Sequence, residues 1–346
     1  MPPIAAVSEA PVISEGQNAT IDAVAVEARA GLTASPRTLS PWLFYDEAGS
    51  HLFEQITQLP EYYLTRTERG IFTAHADAIL EEAANGDEKH KQTLTLIELG
   101  AGTAAKTGVL LAAAVRRQGS VVYQPVDVSE TALAVASKNI QANFPGVTVR
   151  CQVADYTREA LPLDRLPNLR TLALYIGSSI GNFSPASARS LLRNLRAQLL
   201  PGDKLLLGTD LGPSPQKSVA TLLAAYNDAA GTTADFNRNV LTRLNRDLGA
   251  DFNPAAFTHK AIWNPIHSRI EMHLESSLRQ RVHIPANAAG PALTLSFAPG
   301  ETIHTENSYK FTSAAIEALL TPAAFVITKT WHDPKELFAV TLATAI

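Results

Sequence analysis

The sequence predicts an α/β fold, a doubly wound parallel sheet accompanied by a second α+β domain. Three observations carry that prediction. Between Thr93 and Gly208, short apolar runs alternate with helix-length stretches, the rhythm of repeated strand–helix–strand units. After Gly212-Pro213 the rhythm stops, and helical segments give way to short β-type runs, one of them alternating residue by residue. The chain has 346 residues, 46% hydrophobic and 18% charged, enough apolar material for a large core and, at about 150 residues per domain, for roughly two domains.

Each element follows from local pattern. Residues 1–40 are rich in Ala, Pro, Ser and Thr and are expected to be partly flexible, with a helix over Ile21–Ala30 stopped by Gly31. Phe53, Ile56 and Leu59 repeat at helical spacing within a docking segment from Trp42 to Leu59. Pro60-Glu61-Tyr62-Tyr63 breaks that segment, and Thr65 or Thr67 is expected to cap a helix over Glu68–Glu82. Strands are expected at 93–99, 121–126, 147–153, 169–176 and 204–208, with helices at 105–117, 130–143 and 184–200 between them. Beyond residue 213 come two helices, the second closed by Gly249, and then strands at 269–274, 281–284, 293–297 and 301–311. A helix at 312–320 and strands at 325–331 and 337–342 can finish the sheet begun at residue 93.

Charge and cysteine usage exclude several classes. With 29 Lys+Arg against 33 Asp+Glu the net charge is −4, which offers no basic stripe, so nucleic acid is not an expected partner. The single cysteine, Cys151, cannot form an intramolecular disulfide or a multi-thiolate metal centre; it is read as inert core in an apolar strand. Met1 to Val7 lacks a basic n-region, and no apolar run approaches the about 18 residues of a membrane span. A cytoplasmic protein without a membrane partner is expected, and a monomer is assumed. The nine histidines form no HExxH pattern, so no metal is expected, and Ser178-Ser179 lacks a GxSxG elbow.

The chemistry is expected at the carboxyl ends of the first strands, where open α/β sheets bind ligands. Leu96-Ile97-Glu98-Leu99-Gly100-Ala101-Gly102-Thr103 runs a buried strand into a glycine turn that a ligand can approach. The third glycine of the dinucleotide fingerprint is missing, and the acid before the glycines resembles the first motif of class I S-adenosylmethionine (SAM) methyltransferases. Asp127, 25 residues beyond Gly102, ends the second strand where a carboxylate can accept both ribose hydroxyls. Asp155-Tyr156 ends the third, placing a carboxylate and a ring for adenine. The loop Gly177-Ser178-Ser179-Ile180-Gly181-Asn182 follows the fourth strand and can seat a polar substrate group.

Eight motifs in order make the resemblance specific. Phe44-Tyr45-Asp46-Glu47-Ala48-Gly49-Ser50-His51-Leu52-Phe53, Leu59-Pro60-Glu61-Tyr62-Tyr63-Leu64-Thr65-Arg66, Glu98 to Thr103, Gly177 to Asn182, Ala225-Tyr226-Asn227-Asp228-Ala229-Ala230-Gly231, Phe236-Asn237-Arg238-Asn239, Arg269-Ile270-Glu271-Met272 and Thr305-Glu306-Asn307-Ser308-Tyr309-Lys310-Phe311 are similar to the histidine-specific N-α-methyltransferases of ergothioneine biosynthesis. The likeness runs from about residue 37 to the C-terminus. Leu43, Leu64 and Asn307 depart from the family pattern, at positions that carry no expected ligand.

The resemblance implies a class I SAM-methyltransferase Rossmann-like sheet over 68–212 and 311–346, with an α+β substrate-binding domain from 41–67 and 213–310. It implies SAM as methyl donor at Gly100, Lys106, Asp127, Asp155 and Tyr156, with Lys106 facing the methionine carboxylate. It implies L-histidine as substrate, its carboxylate held by Asn182 and Tyr226 and its amine near Tyr45 and the Gly177 backbone. Glu306 and Ser308 would read the imidazole, whose neutral ring offers one donor and one acceptor, while Phe53, Tyr62 and Met272 wall the pocket. Tyr45 is the candidate for positioning the amine in catalysis. The activity implied is threefold methylation of the α-nitrogen to hercynine. A related N-methyltransferase of another amino acid, such as a tryptophan derivative, and a SAM-binding module without turnover are the alternatives.

Overall fold

The computed structural model describes residues 15–85, 92–102, 104, 106–156, 163 and 165–346. The expected mobility of the first residues lies in part outside them, as do the motif position Thr103 and Ala105, the start of the expected helix at 105–117.

In chain order, α1 (Glu15–Thr33), β1 (Arg37–Thr38), a 3-10 turn (Pro41–Phe44), α2 (Glu47–Gln58) and α3 (Tyr63–Ala84) come first. The alternating region is β2 (Leu94–Leu99), α4 (Gly108–Gln118), β3 (Val121–Asp127), α5 (Glu130–Asn143), β4 (Val147–Val149), β5 (Gln152–Val153), β6 (Arg170–Tyr175), α6 (Pro185–Gln198) and β7 (Lys204–Asp210). Next come α7 (Val219–Ala225), α8 (Thr232–Leu248), β8 (Phe257–Asn264), β9 (Arg269–Ser276), β10 (Gln280–Ile284), β11 (Leu293–Phe297) and β12 (Thr302–Tyr309). The chain closes with α9 (Ser313–Leu320), β13 (Phe325–His332) and β14 (Phe338–Ala345). Among the described residues, no helix is long and apolar enough to cross a membrane.

Two compact units divide the chain: Met1–His51, Ala234–Lys260 and His273–Glu306 form one, and Leu52–Thr233, Ala261–Met272 and Asn307–Ile346 the other. This division differs from the boundaries expected from sequence, because 52–67, 213–233, 261–272 and 307–310 group with the large sheet. A physical reason is visible at Asp210, the last residue of β7: Tyr63, Lys217 and Lys310, one from each of three such segments, all bond to its carboxylate.

In the second unit the large sheet runs β13-β14-β7-β6-β2-β3-β4, with β5 also pairing β3. Strands β2 to β7 pair in parallel, and β14 and β13 complete the sheet antiparallel. All six residues of β2 and all seven of β7 are buried, as strands in a sheet covered on both faces are. Leu191, Leu195, Ile316 and Leu319 from α6 and α9 pack with Leu205, Leu207 and Ala343 in one core cluster. The chain leaves β2 for β3 on one side and returns to β6 on the other, so the topological switch point lies between β2 and β6.

The first unit contains α1, the turn at 41–44 and α8, whose buried Phe236, Val240, Leu241, Leu244 and Leu248 repeat at helical spacing. Gly249 follows at φ +66°, the left-handed residue that ends such a helix. Strands β1, β12, β9 and β8 form a four-stranded sheet in that order, and β10 pairs β11 antiparallel.

Several expectations are corrected. Gly31 does not stop α1, which continues to Thr33; a Cβ at Gly31 would stand 2.1 Å from the Thr38 carbonyl oxygen, so glycine there admits β1 against the helix. Helix α3 starts at Tyr63 rather than Glu68, with no side-chain cap from Thr65 or Thr67. The third strand is split into β4 and β5, and Cys151 sits exposed in the gap instead of inside the sheet. Strand β8 had no advance signal, since Phe257-Thr258-His259-Lys260 mixes polar residues without clean alternation.

Candidate functional site

The turn after β2 is built by two left-handed glycines, Gly100 at φ +67° and Gly102 at φ +52°. They do different work. A Cβ at Gly100 would lie 2.7 Å from the Tyr156 hydroxyl, so that space belongs to a protein side chain. At Gly102 a Cβ would meet nothing within 4 Å, and the Gly102 amide donates to Asp127 Oδ2 at 2.9 Å while Asp127 Oδ1 accepts from the Ser129 amide at 3.0 Å. Asp127 therefore ties the glycine turn to the end of β3. Tyr156 stacks edge-on against Tyr175 with centroids 5.9 Å apart, and burial, with Asp127 and Asp155 nearby, raises its phenol well above the usual range. Asp155 is half-buried directly before it. Open space beside Gly102 and acids at the neighbouring strand ends fit an adenosyl group with a diol.

Glu98, the acid before the glycines, faces inward instead. It is 3% exposed, accepts from Thr107 Oγ1 at 2.5 Å and from the Tyr123 hydroxyl, and burial pushes its carboxyl up to about 7. Its place is under the turn, holding Thr107 at the foot of α4.

Glu68 on α3 is a residue no motif singled out. Its Oε1 accepts from the Gly177 amide at 2.7 Å and its Oε2 from Lys106 Nζ at 3.0 Å. A Cβ on Gly177 would lie 2.7 Å from Lys106 Nζ, and one on Gly208 would lie 2.2 Å from Glu68 Oε1, so two glycines make room for this ion pair. Lys106 keeps 27% of its side chain exposed while Glu68 is sealed. The loops after β2 and β6 are thus joined at the switch point, with the Lys106 ammonium partly exposed there.

After Gly177 the chain turns through Ser178 at φ +60°, whose hydroxyl accepts from the Asp210 amide at 2.9 Å and so fixes an otherwise disfavoured conformation. Asn182 ends the following 3-10 turn half-buried, beside Gly181, where a Cβ would lie 2.9 Å from the Tyr309 carbonyl. Rings of Phe53, Tyr62 and Tyr226 stand edge to face, at 6.1 Å and 6.3 Å between successive centroids. Met272 is buried, 2% exposed.

Tyr226 and Ser308, which the resemblance assigns to opposite ends of the substrate, meet directly: their hydroxyl oxygens lie 2.6 Å apart. Beneath them Lys310 Nζ donates to both and to Asp210 Oδ2, and Lys217 donates to the other oxygen of Asp210. The Tyr63 hydroxyl stands 2.9 Å from both oxygens of that carboxylate. Burial lowers the Lys217 ammonium to about 8 even with Asp210 in contact. Asp210 is a further acid at a strand's carboxyl end; the expected strand stopped two residues short of it. Lys310, two residues beyond Ser308, was visible only as part of its motif.

The remaining site residues belong to the first unit. The Tyr45 ring packs edge-on against Phe236, 5.8 Å between centroids. Its neighbour Asp46 accepts from the Gly49 amide at 2.8 Å, Asn239 Nδ2 at 2.7 Å and Arg246 at 2.7 Å. Burial alone would raise that carboxyl, but the Gly49 amide, Arg246 and Asn239 together hold it below the usual carboxylate range. The Tyr-Asp-x-x-Gly motif is therefore a helix start: Asp46 caps α2, and a Cβ on Gly49 would lie 1.7 Å from the Phe44 carbonyl. Glu306 is half-buried on β12 behind Thr305, which donates to Asn237 Oδ1 at 2.8 Å.

A family model described as "Histidine-specific methyltransferase, SAM-dependent" matches residues 24–345. The chain belongs to this family. Among curated relatives, this methyltransferase is 42% identical over 323 residues to a histidine N-alpha-methyltransferase of Mycolicibacterium smegmatis, covering 93% of its own chain and 95% of the relative. It is 40% identical to one of Mycobacterium tuberculosis, over 95% and 97% of the two chains. It also matches ergothioneine biosynthesis protein 1 of Schizosaccharomyces pombe at 30% identity, over 78% of this chain and 34% of that longer protein. Among solved structures, a SAM-dependent methyltransferase from Clostridium acetobutylicum superposes with a TM-score of 0.46 at 10% identity, covering 85% of this methyltransferase and 98% of that chain.

Proposed function

We propose that the protein trimethylates the α-amino group of L-histidine, one methyl at a time, to give hercynine. The observation that carries this reading is the match to a SAM-dependent, histidine-specific family across residues 24–345 of a chain that retains every site residue its motifs imply. SAM supplies an electrophilic methyl on a sulfonium centre. Each transfer forms an N–C bond as the methyl's C–S bond breaks, and releases S-adenosylhomocysteine. The nucleophile is the neutral amine lone pair, so a proton leaves nitrogen before each of the three attacks.

The protein's contribution is positioning and exclusion of water rather than covalent help. In this reading Asp127 holds the ribose hydroxyls, Asp155 and Tyr156 frame adenine, and Lys106 pairs with the methionine carboxylate. Asn182 and Tyr226 take the histidine carboxylate, Tyr45 and the Gly177 carbonyl orient the amine, and Glu306 and Ser308 read the ring. Phe53, Tyr62 and Met272 supply apolar walls, and the tyrosine rings favour a growing ammonium. Segments 41–67 and 213–310 are taken as the substrate-binding part, and the protein as a metal-free cytoplasmic monomer that binds neither nucleic acid nor membrane.

The deciding experiment incubates purified protein with SAM and each of the twenty amino acids and follows products by mass. Histidine gaining three methyl groups is the expected result; methylation of another amino acid with histidine untouched overturns the reading.

A further inference from the structure

Glu68 is sealed from solvent with both carboxylate oxygens engaged: Oε1 accepts from the Gly177 amide at 2.7 Å and Oε2 from Lys106 Nζ at 3.0 Å. The carboxylate fits there because β7 carries no side chain at Gly208, where a Cβ would lie 2.2 Å from Oε1. Glycine inside a buried strand weakens it, and here it marks a close approach. Gly177, at φ +79°, makes the same room for the other partner, since a Cβ there would lie 2.7 Å from Lys106 Nζ. Positions on α3, on β7 and in the loop after β6 are thus shaped around one ammonium.

A lysine is a point charge on a flexible stem, and ordering it for a ligand costs rotamer entropy. In Lys106 that ordering is already done by Glu68. The ammonium carries three N–H donors. Among the described residues its hydrogen bond is to Glu68, and 27% of the side chain stays open to solvent. The sealed carboxylate therefore fixes the charge from within and leaves the rest of it accessible. Electrostatics then narrows what suits it. A plain anion docking on Lys106 meets the negative charge of Glu68 behind it, whereas a zwitterion sets its own ammonium beyond its carboxylate, so that the four charges alternate in sign.

We propose that Glu68 is a positioning residue that aims Lys106 at the carboxylate of an α-amino-acid group, so that this pair recognises the amino-acid end of the methyl donor and not its nucleoside. This role deepens the reading of Lys106 as partner of the methionine carboxylate and rests on it. It is independent of which amino acid is methylated.

The test is calorimetric titration of the full-length protein with two adenosyl ligands: S-adenosylhomocysteine, which carries the amino-acid end, and 5′-methylthioadenosine, which lacks it. Glu68→Gln is expected to raise the Kd of S-adenosylhomocysteine by about tenfold or more and to leave that of 5′-methylthioadenosine within about twofold of the parent. A residue that merely supports the fold would weaken both ligands alike. Glu68→Asp keeps the charge but draws the carboxylate back by one methylene, and the same ligand-selective loss is expected of it; where Glu68→Gln no longer binds 5′-methylthioadenosine, the comparison is read on Glu68→Asp. In a Lys106→Met background, Glu68→Gln is expected to add less than about twofold, because the charge that it positions is gone. Equal losses for the two ligands overturn the proposal. So does a full further loss in the Lys106→Met background, or an unchanged Kd for S-adenosylhomocysteine in Glu68→Gln where Lys106→Met alone weakens it. An unchanged Kd in Lys106→Met overturns the reading of Lys106 instead.

Discussion

Glu68 and Lys106 meet at 3.0 Å across the switch point of the sheet, with the carboxylate sealed inside the protein and the ammonium partly open to water. A buried carboxylate left without partners is costly, and here the partners are the two loops that flank the proposed SAM site. Glu68→Ala removes the acceptor for both Lys106 and the Gly177 amide. It is expected to cost about 2–3 kcal/mol of stability, less than a fully sealed pair because Lys106 reaches solvent, and to weaken SAM binding about tenfold. Thermal melting and titration with SAM check the two effects; unchanged SAM affinity would mean that the loops hold their geometry without Glu68.

Two helical glycines should respond in opposite directions to the same substitution. Gly49→Ala places a Cβ 1.7 Å from the Phe44 carbonyl, which is backbone and cannot swing aside, so a loss of about 2 kcal/mol or more is expected. Gly70 sits exposed inside α3 with nothing within 4 Å of its Cβ direction, and Gly70→Ala is expected to gain about 0.5–1 kcal/mol from helix propensity. Denaturant midpoints of the two variants settle both signs.

Pattern carried most of the large sheet. The strands between Leu94 and Asp210 are short, mainly apolar runs, and α5 begins and ends where its cap and period say, with Ser129 accepting from the Ala132 amide. The failures have physical causes. Gly31 reads as a stop in one dimension, yet the helix runs on to Thr33 and the glycine leaves room for the Thr38 carbonyl of the strand that follows. Strand β8 needs partners to look like a strand at all. In the site, acids at strand ends were legible because each closes or follows a short strand-like run, whereas Glu68 was not, since a single Glu on a helix carries no local mark of the loop it will meet. Lys217, Asp210 and Tyr63 become a cluster only when segments over a hundred residues apart converge on one carboxylate. Family resemblance named Tyr226 and Ser308 but not the lysine that joins them.

Glu98 gives the pH dependence of folding a definite sign. Its folded-state carboxyl is raised to about 7, so the folded protein binds this proton more tightly than the unfolded chain, where an ordinary Glu titrates near 4.3. Stability from this group is therefore greatest below about pH 4 and falls as pH rises through the folded value, flattening above it. Glu98→Gln keeps an oxygen to accept from Thr107 and Tyr123 but cannot ionise. Relative to the parent, the variant is expected to gain stability progressively between about pH 4.5 and 7.5, by an order of 3–4 kcal/mol in all. Melting temperatures of the ligand-free proteins across that window test it, and parallel curves would show that Glu98 does not titrate there.

Glu306 offers the sharpest separation of substrate from cofactor. It lies on β12 in the first compact unit, whereas Gly100, Lys106, Asp127, Asp155 and Tyr156 all lie in the second. In the proposed reading its carboxylate accepts the imidazole N–H, a charged acceptor for a neutral donor. Glu306→Ala is expected to raise the histidine KM about 10- to 100-fold while SAM affinity stays within twofold, and Glu306→Gln, which keeps an acceptor without the charge, to fall between. Calorimetric titration of each variant with SAM and with histidine distinguishes the outcomes. Equal losses for both ligands would mean that Glu306 acts on the fold or on both sites together, and the assignment of the imidazole to this strand would fail.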